Sequence, residues 1–274
     1  MGRAVLIMFV AMSLIPAGDS AGKLLTGTFD AAPEFVAWSR FALGALMVLP
    51  FLRPGTWPLL RDPRVWLRAA AIAGGITCIQ FALQSADIAT VFAAFFIGPL
   101  VSYFLAAVFL REPVTLTRTA LIVLGFLGVL VVVRPGMGGE PGLIWAVVAG
   151  LCYGSFLTMS RWLSGIGTPL ALTFSQLAIS ALLLLPIGAL NLPNLTAPVV
   201  GLTLTSALCS MAGNLLLLYA YRVVDAARLA PLVYFQLIAA VGLGWAVFGD
   251  LPDPATWAGM TLIIGAGLLS TRLR

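Results

Sequence analysis

Ten apolar runs of membrane-crossing length occupy nearly the whole chain: roughly Ala4 to Leu25, Pro33 to Leu52, Val65 to Gln84, Ile88 to Leu110, Leu116 to Val133, Gly142 to Trp162, Pro169 to Leu190, Pro198 to Tyr221, Leu229 to Phe248 and Ala255 to Leu269. A bilayer core takes about 20 residues of helix. Helices suit it because every backbone polar group between their ends is bonded within the segment. The breaks between the runs are short and rich in turn residues: "RPGTWP" and "RDPR", "REP", "RPGMGGEPG", "NLPN" and "GDLPDP". No soluble domain fits between them. The expected fold is an all-α integral membrane protein. Composition agrees, since 61% of the 274 residues are hydrophobic and 9% charged, too few charges to cover a soluble domain of this size.

Several function classes drop out on residue chemistry. The net charge of +5 comes from basic residues scattered singly between apolar runs, with none of the basic blocks or stacking platforms that nucleic-acid binding needs. Cys78, Cys152 and Cys209 all fall inside apolar runs and read as small core residues, not as a disulfide framework or metal cluster. There is no histidine, which removes the commonest general base and neutral metal ligand. No catalytic residue, metal site or cofactor is expected. The glycine-rich "RPGMGGEPG" lacks the Lys and Ser or Thr of a phosphate loop, so no ATP site is expected either. No small-residue cleavage site precedes Asp19, and the first run is expected to stay as a helix.

Basic residues near span ends are retained on the cytoplasmic side. With the N-terminus inside, Arg3, Arg53, Arg61, Arg64, Arg68, Arg111, Arg118, Arg161, Arg222, Arg228, Arg272 and Arg274 fall at cytoplasmic ends, twelve of the fifteen Lys and Arg residues. Lys23 and Arg134 fall on the other face, and Arg40 lies within the second span. Both termini are expected inside. The chain also repeats: "PEFVAWSRFALGALMVLP" from Pro33 aligns without a gap on "PLALTFSQLAISALLLLP" from Pro169, and "DIATVFAAFF" from Asp87 falls on "DAARLAPLVY" from Asp225. Five spans per half is an odd number, so the halves, 1–137 and 138–274, would insert upside down relative to each other. Inverted repeats can present one central site to each side in turn.

Other residues carry a family resemblance. "FLREP" (Phe109 to Pro113) closes the fourth span, "VFGDLP" (Val247 to Pro252) closes the ninth, and the fifth and tenth are glycine-spaced, "LGFLGVLVVVRPG" and "IIGAGLL". With these features the whole chain resembles the drug/metabolite transporter superfamily, in its ten-helix bacterial branch of two EamA-type repeats. Asp19, Lys23 and Arg40 are similar to the pattern of the subgroup that includes carriers for S-adenosylmethionine and riboflavin. The resemblance implies a transport role without fixing the solute. It also implies a cavity lined by the first, third, fourth, sixth, eighth and ninth helices, and peripheral fifth and tenth helices. Asp250 has no basic neighbour in sequence, so a role for Glu112 does not transfer to it.

"PAGDSAGK", Pro16 to Lys23, puts charge inside the first span. A charge near the bilayer centre costs about 2.5 to 3.5 kcal/mol on insertion scales, so Asp19 needs a partner or a polar cavity. Arg40 reaches a similar depth on the second span, and Lys23 lies one turn outward of Asp19 on the same face. Two readings stay open: a neutralised pair that locks helices together, or a cavity cluster that binds a charged or zwitterionic solute or exchanges a proton. Gln80, Asn214 and Gln236 are softer site candidates, since amide bonds between helices explain each, as they do Gln84 and Gln176. Tyr103 and Tyr234 are candidates for stacking on a ring-bearing solute, with anchoring or packing as the alternative. Pro16 and Pro99 are expected to bend the first and fourth helices.

The expected function is secondary active transport of a small organic metabolite, an amino-acid, vitamin or nucleoside-like solute. It would work by alternating access across the bacterial inner membrane, driven by the solute gradient or by protons. A lipid-linked solute flippase is the alternative, with a membrane-embedded enzyme behind it. The expected partners are the solute and the lipid bilayer, with the chain as monomer or homodimer.

Overall fold

The computed structural model describes residues 2–52, 54–111, 115–134, 140–163, 165–223 and 230–272, all helices, turns and connecting loops. In chain order the α-helices are α1 (Gly2–Thr28), α2 (Pro33–Val48), α3 (Pro63–Ser85), α4 (Ile88–Phe95), α5 (Ile97–Phe109), α6 (Leu116–Val133), α7 (Leu143–Trp162), α8 (Pro169–Leu190), α9 (Ala197–Val223), α10 (Phe235–Leu243) and α11 (Pro254–Arg272). Glu112, Pro113 and Asp225 lie outside the described residues. Among those described, six helices are long and apolar enough to cross a membrane, and three more apolar helices are shorter. Helix α1 adds 27 residues that include Asp19 and Lys23. The structure is that of a membrane protein.

Helix starts follow the local sequence. Pro33, Pro63, Pro169 and Pro254 each open a helix, where a missing N–H costs nothing and φ is already helical. Side chains of Asp62, Asp87, Thr168 and Asp253 cap α3, α4, α8 and α11 by accepting from the N–H of Arg64, Thr90, Ala171 and Thr256, which satisfies donors with no partner in the first turn. Left-handed backbone at Asp30, Arg111, Arg134 and Gly249 turns the chain after helical segments.

The fourth apolar run is divided. It breaks at Phe96, between α4 and α5 and three residues before Pro99. Proline has no N–H to give to the carbonyl of Phe95, one turn back. Helix α7 lies close to that carbonyl: a Cβ added at Gly150 would stand 2.7 Å from it and 2.3 Å from the Ile97 side chain. The ninth run is also irregular, a 3-10 turn at Ala230–Tyr234, then α10, then a π turn at Gly244–Phe248.

Helices from the two halves of the chain pack crosswise. Helix α1 lies chiefly against α9, α3 against α7, α2 against α8, and α6 against α11. The α6–α11 crossing is so close that a Cβ on Gly128 or on Gly259 would meet the other's carbonyl at 2.8 or 2.6 Å. A core of Ile79, Phe92, Val132, Leu143, Leu237 and Ile263 joins α3, α4, α6, α7, α10 and α11. Large apolar side chains such as Leu46, Leu67, Val108, Phe109, Ile144 and Leu182 remain exposed, as suits a surface facing lipid.

Candidate functional site

Asp19 and Arg40 meet in the interior. Helix α1 brings Asp19 and α2 brings Arg40, whose Nη1 lies 2.5 Å from Asp19 Oδ1. Both are buried, with 4% and 7% of their surface exposed. The guanidinium also donates through Nη2 to the Gly18 carbonyl and through Nε to Ser206 Oγ on α9 at 2.6 Å, and Ser206 donates to the same carbonyl at 2.9 Å. Gln80 on α3 is fully buried and gives Nε2 to Asp19 Oδ1 at 3.2 Å. Its Oε1 has no hydrogen-bond partner, although a buried carbonyl without one costs about 1–3 kcal/mol. The missing side chain of Gly22 makes room for this group: a Cβ there would stand 2.4 Å from Gln80 Oε1 and 3.0 Å from Arg40 Nη2. Four helices from both halves thus converge on one buried ion pair beside an unused acceptor, Gln80 Oε1.

Lys23 does not join that pair. Its Nζ donates to the Ala86 carbonyl at the end of α3 at 2.9 Å, lies 3.6 Å from Asp250 Oδ2, and sits 4.9 Å over the Phe248 ring. The ammonium therefore ties α1 to the turn after α10. It lines a pocket of about 470 Å³ with Gln84, Ser85, Asp87, Glu140 and Asp250. Partial burial, then the Asp87 charge, hold the Glu140 carboxyl above its usual range; Lys23 and Arg134 oppose the rise and Asp250 adds to it. On the adjoining turn Arg134 pairs with Asp253. The Thr256 hydrogen bonds lead in holding the Asp253 carboxyl below its usual range, with Arg134 assisting.

Sequence reasoning missed a second buried cation. Arg68 on α3 is 6% exposed. It donates to Ser160 Oγ on α7 at 2.8 Å, and to the Leu172 carbonyl and Gln176 Oε1 on α8, each at 3.1 Å. Its Cζ lies 4.6 Å from the Phe156 ring centroid. Counting Arg68 among the cytoplasmic charges hid its burial, and the available signal was its place five residues inside the helix.

The other expected residues are dispersed. Tyr103 on α5 has a buried hydroxyl without a hydrogen-bond partner, and its ring packs edge-on to Phe104 at 5.8 Å. Asn214 on α9 is exposed and donates to its own helix at Ser210, so it stands apart from the Asp19 network. Tyr234 stacks on Phe96 at 5.4 Å, beside the α4–α5 break. Gln236 is buried on α10. Pro16 sits within an unbroken α1, whereas Pro99 follows a real interruption.

The EamA-like transporter family matches the chain twice, over residues 3–134 and 140–272. An S-adenosylmethionine uptake transporter of Rickettsia conorii is 27% identical over 236 residues, 84% of this chain and 79% of that protein. A riboflavin transporter of Brucella anthropi is 28% identical, covering 90% of each. A pseudopaline exporter of Pseudomonas aeruginosa is 24% identical over 98% of this chain and 96% of its own. One solved crystal structure shares the fold with a TM-score of 0.66 at 19% identity, covering 100% of this chain and 99% of the other. The chain belongs to the EamA-like transporter family and is a transporter, not an enzyme.

Proposed function

We propose that the chain is a secondary active transporter that carries a small organic metabolite across the bacterial inner membrane by alternating access. Its ten spans are two inverted five-helix repeats, 1–137 and 138–274, with both termini in the cytoplasm. In this reading α4 with α5 forms the fourth span, and Ala230 to Phe248 forms the ninth.

The observation that carries the reading is the crosswise packing. Helix α1, first in its half, lies on α9, third in the other; α7, first in the second half, lies on α3, third in the first. Exchange of the halves therefore returns the same contacts, as two repeats related by a two-fold axis require, and an odd number of spans per repeat puts that axis in the membrane plane. The pairings of α2 with α8 and of α6 with α11 map onto themselves. Two separate family matches support the same division.

The solute or proton site in this account is the network of Asp19, Arg40 and Gln80, because it joins α1, α2, α3 and α9 and leaves a buried acceptor open. Lys23, four residues along α1, lines a separate pocket with Glu140 and Asp250. Relatives named for S-adenosylmethionine, riboflavin and pseudopaline support a metabolite of amino-acid, vitamin or nucleoside-like size. The test is a thermal-shift screen of the purified protein against such solutes, followed by uptake of the stabilising ones into proteoliposomes with and without a pH gradient. Accumulation above the outside concentration is expected. Equilibration alone, under every gradient tried, would refute active transport.

A further inference from the structure

Arg68 is a buried cation with no carboxylate at ion-pair distance among the described residues, in contrast to Arg40, which has Asp19. Three of its five N–H donors go to neutral oxygens, on Ser160, Leu172 and Gln176, which leaves two free and the charge uncompensated. Hydrogen bonds to neutral groups do not replace a counter-ion at a desolvated site. The Phe156 face offers partial compensation only.

A line of rings leads from the α4–α5 break to this guanidinium. Phe95 lies 5.0 Å from Tyr153, Tyr153 stacks on Phe156 at 6.0 Å with 27° between the planes, and Phe156 covers Arg68. Phe95, Tyr153 and Phe156 are all partly exposed. The other half of the molecule holds the counterpart. When Pro33–Pro50 is laid on Pro169–Pro186, Gln176 takes the place of Arg40; when Asp87 is laid on Asp225, Ser206 takes the place of Arg68. The bond from Arg40 to Ser206 thus recurs as the bond from Arg68 to Gln176, with the arginine on the opposite helix. One cluster contains its own carboxylate, Asp19, while the other presents a ring and no acid.

We propose that Arg68 seats the acidic group, carboxylate or phosphate, of a ring-bearing solute whose ring lies along Tyr153 and Phe156. This rests on the transport reading above and names the solute class. The acid completes the cluster as Asp19 completes that of Arg40, and the planar fork of the guanidinium suits either acid.

The experiment compares matched acid and neutral probes on purified protein by calorimetry: nicotinate with nicotinamide, indole acetate with indole acetamide, and adenosine monophosphate with adenosine. At least one acid should bind about tenfold more tightly than its neutral partner, the scale of a charge-assisted fork. Comparison of the monophosphate pair with the two carboxylate pairs identifies the acid. In Arg68→Gln the ratio should fall to about one, whereas Phe156→Leu should weaken both members of a pair alike and leave the ratio standing, since stacking ignores the acid. If Arg68→Gln does not fold, Arg68→Lys decides: a point charge in place of the fork should reduce the ratio, and an unchanged ratio overturns the assignment. Equal binding of acid and neutral members by the wild type in every pair also overturns it, and leaves transport untouched. Acid preference without accumulation in proteoliposomes would refute active transport instead.

Discussion

Arg40 extends from α2 to Asp19 on α1 at 2.5 Å and to Ser206 on α9 at 2.6 Å, so one side chain holds both halves of the chain together. A structural pair and a transport site respond differently to substitution. Removal of one partner leaves a buried charge and costs about 3–5 kcal/mol in either case. The double change Asp19→Asn with Arg40→Gln should recover most of the melting temperature, because coupled residues are not additive. Transport by that stable double variant should stay lost. Full transport by it would reduce the pair to a fastener between helices.

Gly22 is the notch that seats this network. In Gly22→Ala the new methyl would fall 2.4 Å from Gln80 Oε1, and such overpacking costs about 1–3 kcal/mol. Gln80→Ala in the same chain should relieve the clash, so the two changes together should cost less than their sum. Additive losses of melting temperature would mean that Gly22 and Gln80 do not touch.

At Pro99 the prediction concerns rate. The helix breaks at Phe96 beside the close approach of α7, and the proposed role of Pro99 is to let the chain flex there, as gating segments do. Pro99→Ala should slow transport and keep equilibrium ligand binding within a few-fold. Loss of binding together with expression would make Pro99 a folding residue.

Two loop carboxyls give stability opposite dependences on pH. Glu140 is held above its ordinary 4.5, first by burial. The folded state thus favours its protonated form, and the stability this gives is full below about pH 4.5 and lost as pH rises through the folded value. Glu140→Gln should raise the melting temperature at pH 7, with the gain fading in acid. Asp253 is held below its ordinary 3.8, first by Thr256. Its contribution is present above that value and disappears as pH falls through the folded one. Asp253→Ala should lower the melting temperature at pH 7, since a lost cap costs about 1 kcal/mol of stability. Melting curves of both variants from pH 3 to 8 check the two signs.

Much of the architecture was legible in the residues because a bilayer demands long apolar helices and proline marks where they start. The Asp19–Arg40 contact was legible for a related reason: two charges at equal depth in adjacent spans need each other. Lys23 was harder. Its partner Asp250 is distant in sequence, and only the turn after α10 brings it to 3.6 Å. Arg68 was invisible as a buried group because charge near a span end ordinarily snorkels to water, whereas here α7 and α8 cover it. Periodicity alone could not place Asn214 on an exposed face or Tyr234 on Phe96, since a helix in lipid is apolar on all sides.

Counterflow tests the central claim, one site open to each side in turn, most directly. Proteoliposomes loaded with the unlabelled solute from the thermal-shift screen are diluted into a trace of labelled solute, and its transient accumulation is followed. An alternating-access carrier exchanges inside for outside solute, so labelled uptake should overshoot equilibrium in loaded vesicles and not in empty ones. Identical uptake in loaded and empty vesicles would mean a pore open to both sides, and would contradict the account.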